Sequence, residues 1–470
     1  KVKLSLRLPK GWSYASALTP QSGTAGAGAV SFAETDLATL VDSPMFAGAH
    51  FMRYDLDPGS ERPVHLNVVA DSADLIEPTD EQIKVHRNLI DQADKLFGAR
   101  HFAHYDFLLA LSDELGGIGL EHHQSSENGP GAKYFTDQKN VPGDWDLLPH
   151  EYVHSWNGKF RRGADLYTDN YDVPMRNSLL WVYEGMTQYW GQVLAARSGM
   201  WSRETALDAL ALTAAAYDNR IGRAWRPLVD TTNDPIILAR RPQGWRSWQR
   251  GEDYYSEGLL IWLDADTLIR KRTDGQKSLD DFAKAFFGVE SGRVTPLTYR
   301  FEDVVATLNS IVPYDWAAFL KARVDARAVK APLDGLARGG WRLVYGDEEN
   351  PYLTLLQKES KSATFAYSLG FTVNKEDTLS DVMWDGPAFG KALRIGDKLI
   401  AVDGEAYTHA RLEKAISAAK GGKKPIALIV QTGDKIRTVE FDYHEGLRIP
   451  RLERIGNAPD RLERILAAKE

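Results

Sequence analysis

Two histidines and a glutamate within five residues, His150, Glu151 and His154, carry the strongest chemical signal in this chain. Positions i and i+4 of a helix project from the same face, so the two imidazoles can bind one zinc ion. Glu151 can reach a water molecule held at an open position of that metal. The pattern predicts a metal centre for hydrolysis, which needs a third protein ligand. The competing interpretation is a pair of solvated histidines on an ordinary helix.

The third ligand is predicted to be Glu184, the single acid in the apolar and aromatic segment from Leu180 to Trp190. A lone carboxylate there is costly to bury unless it is paired or binds a metal, although an exposed edge position would also accommodate it. With two histidines this ligand leaves one open position, so we expect one zinc ion per chain. Glu151 would take a proton from the water there and pass it to the leaving amine. Gln188, one turn beyond Glu184, could orient a ligand or equally lie at the surface.

The composition limits the possible classes of function. The 470 residues carry a formal net charge of −8, so a nucleic-acid partner, which would require a basic face, is not expected. No run of residues is apolar and long enough to predict a membrane span. Because the chain lacks cysteine, a metal site must use histidine or carboxylate donors.

Hydrophobic periodicity predicts the elements that must position these residues. Residues 1–72 alternate as β structure, with Val64 to Val69 as the last strand of an amino-terminal domain. A helix is predicted from Pro78 to Phe97, with Thr79 and Gln82 forming a capping box. Other predicted elements are a strand at Tyr105 to Ser112 and helices at Trp145 to Phe160, Leu179 to Arg197, Ser202 to Ile221, Ser256 to Arg272 and Ser278 to Phe287.

The pattern in the carboxyl-terminal third predicts an extended region followed by a separate compact unit. Residues 333–360 look extended, and a compact unit follows from Phe365 to about Tyr443. The pentapeptide Arg-Leu-Glu-Arg-Ile occurs at 451–455 and again at 461–465, where we expect a charged helical tail.

The zinc motif and its surroundings resemble those of known zinc exopeptidases. The stretch from His150 to Lys159, followed by Trp181 to Gly185, is similar to the aminopeptidase N type. It looks closer still to the bacterial glycyl aminopeptidases, gluzincins with a C-terminal PDZ domain. They are similar to this chain in their long spacing, which here is 29 residues between His154 and Glu184.

The resemblance implies a multidomain α+β chain. The expected parts are the C-terminal part of an N-terminal β domain at 1–72, a thermolysin-like and mainly helical zinc peptidase domain at 73–332, a linker and PDZ domain at 333–450, and a helical tail at 451–470. It also implies removal of small N-terminal residues, glycine and alanine, from peptides with a free N-terminus. The chain opens at Lys1 in mid-strand, so we expect it to extend upstream. The compartment stays unknown; we expect a soluble protein and favour the bacterial periplasm or secretion over the cytoplasm.

The resemblance also implies a substrate-binding strand before the zinc helix. The family has Gly-x-Met-Glu-Asn there, and this chain has Gly117, Gly119, Leu120, Glu121 and His122 at the matching positions, with leucine for methionine and histidine for asparagine. Glu121 would then bind the free amine of the substrate, because a carboxylate pairs well with an ammonium group. The glycines would let a peptide backbone approach an edge strand. A glycine turn followed by polar surface residues is the alternative.

A tyrosine that stabilises the transition state is implied as well. Tyr255, before Ser256, Glu257 and Gly258, looks like the counterpart of the family's tyrosine. Its phenol could donate a hydrogen bond to the oxyanion. Tyr254 is the adjacent competitor, and aromatic packing at a helix start explains either residue.

The segment from Phe365 to Phe371 resembles the carboxylate-binding loop of a PDZ domain, with Ser368 in place of the first glycine. The backbone N–H groups around Ser368, Leu369, Gly370 and Phe371 could receive a peptide C-terminus, with the peptide added as a strand. The ligand is left open between substrate tails, another protein and this chain's own catalytic domain.

The leading hypothesis is a zinc aminopeptidase in which Glu151 activates water. The alternative enzyme is a zinc endopeptidase with the same metal centre and PDZ-mediated binding of substrates or partners. A third hypothesis is a PDZ adaptor with an inactive metalloprotein body, which the intact metal motif disfavours.

Overall fold

The computed structural model describes residues 1–21, 29–168, 170, 172–234, 238, 244–328 and 330–470. Contacts divide the chain into two compact units that alternate along the sequence. The first contains Lys1–Arg203, Ile269–Ala317 and Glu463–Glu470, and the second contains Glu204–Leu268 and Ala318–Leu462. Residues 204–268, which the sequence assigns to the peptidase domain, thus cluster with the C-terminal part of the chain.

Strands dominate the first 130 residues and helices the next 200. The early elements are β1 Ser5–Arg7, β2 Ser13–Ser16, β3 Ala29–Ser31, α1 Leu37–Val41, β4 Met45–Gly48, β5 His50–Asp55, β6 Val64–Ala70, α2 Asp80–Phe97, β7 Tyr105–Leu111, β8 Ile118–Glu121 and β9 Ser125–Gly129. The middle elements are α3 Leu147–Val153, β10 Arg161–Gly163, α4 Leu180–Ser198, α5 Arg203–Asp218, α6 Leu228–Thr231, α7 Arg246–Gln249, α8 Ser256–Arg272, α9 Leu279–Phe287, β11 Leu297–Tyr299, α10 Phe301–Ile311 and α11 Trp316–Val324.

The last 140 residues alternate between strands and helices. They form α12 Asp334–Gly339, β12 Trp341–Gly346, α13 Pro351–Ser360, β13 Ala363–Thr364, β14 Phe371–Val373, β15 Leu379–Val382, α14 Pro387–Gly390, β16 Lys398–Val402, β17 Glu405–Ala406, α15 His409–Ala418, β18 Ile426–Thr432, β19 Lys435–Phe441, β20 Ile449–Arg454 and α16 Arg461–Leu466. Among the described residues, no helix is both long and apolar enough to cross a membrane.

A five-stranded sheet in the order β5-β6-β7-β9-β8 belongs to the first unit. Strands β6 and β7 pair in parallel, as do β7 and β9, while β8 pairs antiparallel to β9 at the edge of the sheet. The sequence pattern places the β6 region in an amino-terminal domain, whereas the structure makes it an inner strand of this sheet. The reason is that its parallel partner β7 follows a helical crossover, which local alternation does not reveal.

Helix α2 begins as its sequence predicts. The backbone N–H of Thr79 donates to the Gln82 side chain at 2.8 Å, and Thr79 Oγ1 accepts from the Gln82 N–H at 3.3 Å. These reciprocal bonds satisfy two helix-terminal donors and confirm the predicted capping box.

The zinc-motif helix is shorter than predicted. The sequence indicates a helix from Trp145 to Phe160, but α3 ends at Val153 and tighter turns follow. Gly158, with φ +129°, cannot continue a helix. Helix α4 approaches α3 closely at Gly191, where an added Cβ would lie 3.1 Å from the His150 Cα.

The stretch from Ala363 to Phe441, in the second unit, contains two sheets, in the orders β13-β14-β15 and β17-β16-β18-β19. Their side chains share one apolar core with α15, which includes Phe371, Leu412 and Val430. The preceding region was expected to be extended, yet it holds two helices and a strand. Pro351 occupies the first turn of α13, where its missing N–H costs nothing, so it starts that helix rather than breaking one.

Candidate metal centre

Helices α3 and α4 bring the three predicted ligands together. His150 lies in α3, and His154 follows its last residue with helical angles, φ −61° and ψ −21°, so both rings keep the one-turn spacing. The Nε2 atoms of the two histidines are 3.2 Å apart. Glu184 Oε2, from α4, lies 3.6 Å from His150 Nε2 and 3.3 Å from His154 Nε2.

This triangle fits zinc. Tetrahedral zinc with nitrogen and oxygen ligands at about 2.0–2.1 Å keeps those ligand atoms about 3.4 Å apart. The three separations in the site scatter around that value. Two imidazoles and one carboxylate are also a donor set that catalytic zinc accepts, with one position left for a further ligand.

Asn157 and Thr187 support the ligands, and the sequence pattern did not single out either of them. The backbone carbonyl of Asn157 accepts from His154 Nδ1 at 2.9 Å, which fixes the tautomer that leaves Nε2 for a metal. The Thr187 hydroxyl lies 3.4 Å from the same Nδ1, so this residue, rather than its neighbour Gln188, contacts a ligand ring. The Asn157 side-chain amide donates to the carbonyls of Val182 and Tyr183, each at 2.9 Å, and ties the motif turn to α4.

Glu151 is buried beside the ligands. Its Oε2 has no hydrogen-bond partner among the described residues, as expected for an atom that awaits a water or a substrate group. Burial raises the pKa of Glu151 well above its ordinary value, and the charges of Glu121 and Glu184 act in the same direction against an opposing effect of His154. The unpartnered Oε2 leaves this carboxylate able to accept a proton from a water beside the ligands.

The charges around the centre favour a cation. Burial lowers the pKa of His154, but attraction to Glu184 and Glu121 outweighs it and raises that pKa to about 10. Burial likewise raises the pKa of Glu184, but His154 and the hydrogen bonds of both histidines lower it to about 2. The Glu184 and Glu121 carboxylates thus give the site a negative potential, which favours a cation.

Glu121 ends the edge strand β8 and lies at the same centre. One of its carboxylate oxygens, one of Glu151 and a ring nitrogen of His154 lie within 4.8 Å of one another. The Tyr183 hydroxyl donates a hydrogen bond to Glu121 Oε1. Gly158 leaves room for this hydroxyl group, because a Cβ at position 158 would lie only 2.7 Å from the Tyr183 hydroxyl oxygen.

The two predicted glycines, Gly117 directly before β8 and Gly119 within it, are required for different structural reasons. Gly117 has φ +70°, a left-handed conformation that glycine adopts without strain. Gly119 lies against α3, and an added Cβ would be 2.5 Å from Glu151 Oε1 and 2.8 Å from Leu147 Cδ1. Glycine at 119 therefore keeps the strand close to the Glu151 carboxylate.

Replacing Gly119 with alanine is expected to displace Glu151 and to lower kcat/KM by about 10- to 100-fold, since misplacing a reactive group by about 1 Å costs up to 10²-fold. Steady-state kinetics on an aminoacyl amide would measure the loss. Gly116→Ala is the matched control, because its added Cβ would meet Ser112 O only at 3.4 Å. Equal activities of the two variants would contradict the assigned role of Gly119.

His122, predicted to bind substrate, has both ring nitrogens occupied by carboxylates. Its Nδ1 lies 3.2 Å from Asp42 Oδ1, and its Nε2 lies 3.0 Å from Glu127 Oε2. Burial lowers the pKa of His122, but these hydrogen bonds raise it above its ordinary value. Asp42 also accepts from the Lys159 ammonium at 2.9 Å. These contacts hold the end of β8 and favour a positioning role for His122.

Tyr255 belongs to the second unit, where it lies directly before α8. Its ring stacks on that of Tyr254 at a centroid distance of 5.0 Å. Tyr254 is buried, whereas Tyr255 is half-buried, so Tyr255 is the better placed of the two to meet a ligand.

The predicted carboxylate-binding loop is folded on itself. The N–H groups of Ser368, Leu369 and Gly370 all donate to the carbonyl of Phe365, at 3.1, 2.9 and 2.9 Å. Strand β14, which begins at Phe371, pairs with β13 on one side and β15 on the other. A peptide terminus would have to displace β13 and these bonds before it could bind in the expected way.

Family models match three parts of the chain. Residues 144–261 match the M61 glycyl aminopeptidase domain, residues 1–49 the M61 peptidase N-terminal domain, and residues 361–431 a PDZ domain. The N-terminal match ends before β5, in agreement with the sheet that joins β5 and β6 to β7. No curated protein matches the chain.

A solved structure shares the fold. An aminopeptidase N family protein from Idiomarina loihiensis is 21% identical with a TM-score of 0.75, over 99% of this chain and 79% of that one. An M1 zinc metallopeptidase from Deinococcus radiodurans is 17% identical with a TM-score of 0.42, over 70% of this chain and 65% of that one.

Proposed function

We propose that this chain, a metallo-aminopeptidase with the M61 glycyl aminopeptidase and PDZ domains, uses one zinc ion to release small residues from the N-terminus of peptides. The observation that carries the proposal is the position of the Glu121 carboxylate beside Glu151 and His154. It supplies an anchor for a free amine next to a metal centre.

His150, His154 and Glu184 would hold the zinc ion. When bound, zinc acts as a Lewis acid that lowers the pKa of water and polarises a carbonyl group. Glu151 accepts a proton from the attacking water and returns it to the leaving amine. The motif around Tyr255 supports a role for its phenol as a hydrogen-bond donor to the oxyanion that develops on the scissile carbonyl.

The short reach between Glu121 and Glu151 supports the removal of one residue at a time. Within a residue, about 2.5 Å separates the amine nitrogen from the carbonyl carbon, and the next residue adds about 3.8 Å. A Glu121 oxygen lies within 4.8 Å of an oxygen of Glu151 and a ring nitrogen of His154. An amine bound to Glu121 would therefore bring the first carbonyl group of the substrate, rather than the second, beside these groups. The Tyr183 hydroxyl, by holding one Glu121 oxygen, leaves the other for the substrate ammonium.

The decisive experiment compares free and N-acetylated forms of one peptide with the zinc-loaded protein. We expect glycyl and alanyl amides to be cleaved faster than leucyl and phenylalanyl amides, and acetylation to abolish cleavage. Glu121→Gln should raise KM for free-amine substrates by about 10- to 100-fold, because a hydrogen bond to a charged group is lost or weakened.

Glu114→Gln, which changes an exposed glutamate just before β8, is the matched control and should leave KM unchanged. Equal cleavage of acetylated and free peptides would replace the proposal with the endopeptidase. Absence of stoichiometric zinc from the purified protein would favour the inactive adaptor.

A further inference from the structure

The PDZ domain packs against a segment that precedes Tyr255 within the second unit. Trp248 of α7 stacks on Trp384 with ring centroids 5.3 Å apart and an angle of 19°. Trp245 lies edge-on to Trp384 and to Phe389, each at 5.5 Å. Trp384 and Phe389 lie inside the PDZ match, so this aromatic cluster of four residues joins that domain to the segment.

A hydrogen bond fixes the register of this contact. The backbone N–H of Trp384 donates to Ser247 Oγ at 2.9 Å, and Ser247 is buried. Trp245 also packs on the apolar core of the PDZ domain. The contact is therefore specific, because the buried hydrogen bond between Trp384 and Ser247 forms only when the two segments are in this register.

The segment held by this cluster has an unusual backbone. Trp245, Arg250 and Glu252 have φ values of 62°, 58° and 53°, in the left-handed region that residues with side chains rarely adopt. Such conformations persist only where surrounding contacts over-determine them, and they concentrate at functional sites. Three such residues within eight positions therefore need contacts from outside the segment to hold this backbone conformation.

Arg250 connects the segment to both sides of Tyr255. Its guanidinium donates to Asp253 Oδ2 at 2.6 Å and to Glu257 Oε2 at 2.5 Å, and all three side chains are fully buried. Asp253 and Glu257 are the second residues before and after Tyr255. The backbone N–H of Tyr255 itself donates to the Glu252 carbonyl at 3.2 Å.

We infer that Trp384 of the PDZ domain is a positioning residue for Tyr255, acting through Trp248 and the Arg250 clamp on Asp253 and Glu257. The PDZ domain then helps to position this tyrosine, and part of its surface is covered by this chain's own segment 245–252. This inference rests on the proposed role of Tyr255. It does not depend on the peptide-binding loop, whose N–H groups are bonded internally.

The test is a double-mutant cycle in the full-length, zinc-loaded protein, with a glycyl amide as substrate. Tyr255→Phe alone should lower kcat by about 10²-fold with KM unchanged, the usual loss for one oxyanion donor. Trp384→Ala alone should lower kcat about tenfold with KM and zinc content unchanged, because a displaced donor loses part of its effect. In the Tyr255→Phe background, Trp384→Ala should cause no further loss.

Two variants separate positioning from loss of stability. Trp384→Phe keeps an aromatic ring against Trp248 and should restore most of kcat. Val430→Ala truncates a buried residue of the PDZ core away from the aromatic cluster, and it should lower Tm while leaving kcat unchanged. A matching loss of kcat in Val430→Ala would overturn the inference.

The remaining outcomes distinguish this inference from the proposed function. If Tyr255→Phe lowers kcat but the effect of Trp384→Ala is fully additive or absent, the inference fails and the function stands. If Tyr255→Phe leaves kcat unchanged, the role of Tyr255 and the inference that rests on it are both overturned.

Discussion

Replacing Glu151 with glutamine is expected to lower kcat by about 10²- to 10⁴-fold, the range contributed by a general acid–base group. Glutamine has nearly the same shape but cannot accept the proton of the attacking water. Glu151 is the only carboxylate in α3, and one of its oxygens is unpaired among the described residues, so no second acid of that helix can replace it. Initial rates with a glycyl amide measure the loss.

The variant must retain its metal for this result to be informative. Glu151 is not one of the three groups that form the ligand triangle, so zinc content measured by mass spectrometry should stay at one ion per chain. A Glu151→Gln protein that keeps both zinc and normal turnover would disprove the proton-transfer role.

Replacing His154 with alanine should remove both activity and stoichiometric metal. Its Nε2 is 3.2–3.3 Å from the other two ligand atoms, so its loss leaves only His150 and Glu184 to bind zinc. Metal binding also stabilises the folded state, by about 4 kcal/mol when free metal is a thousandfold above its Kd. Differential scanning calorimetry should therefore show a lower Tm for His154→Ala, and for the unaltered protein after chelation.

Gln188→Ala is the matched control on the neighbouring helix. Thr187 rather than Gln188 contacts the His154 ring, so this variant should keep zinc and full activity. Loss of metal from Gln188→Ala would instead support the role that sequence spacing suggested for it.

Local signals in the sequence were sufficient to predict which residues form the cluster of possible metal ligands. The spacing of His150 and His154 survives although α3 ends at Val153, because one turn of helical backbone is all that the pair requires. Glu184 stood out because a single acid in an apolar helix needs a partner. The supporting contacts of Asn157 and Tyr183 were not predictable, since each depends on which residues a distant element brings near.

The repeated pentapeptide shows where local pattern is insufficient. Arg451–Ile455 and Arg461–Ile465 have the same sequence, yet the first contributes to β20 and the second to α16. Strand β20 exists because its backbone pairs with β12 over six residues, from Trp341 to Gly346. Tertiary pairing thus overrides a propensity that is identical in both copies.

The order of the two compact units along the chain limits how this protein can be divided. The polypeptide passes from one unit to the other four times, and the passages fall within α5, α8, α11 and α16. No single cleavage releases either unit as one continuous piece, and a fragment ending at residue 332 would lack Trp384, the partner of Trp248. Exchange of the PDZ module between relatives, by recombination or by engineering, must therefore carry the matching segment 245–252 with it.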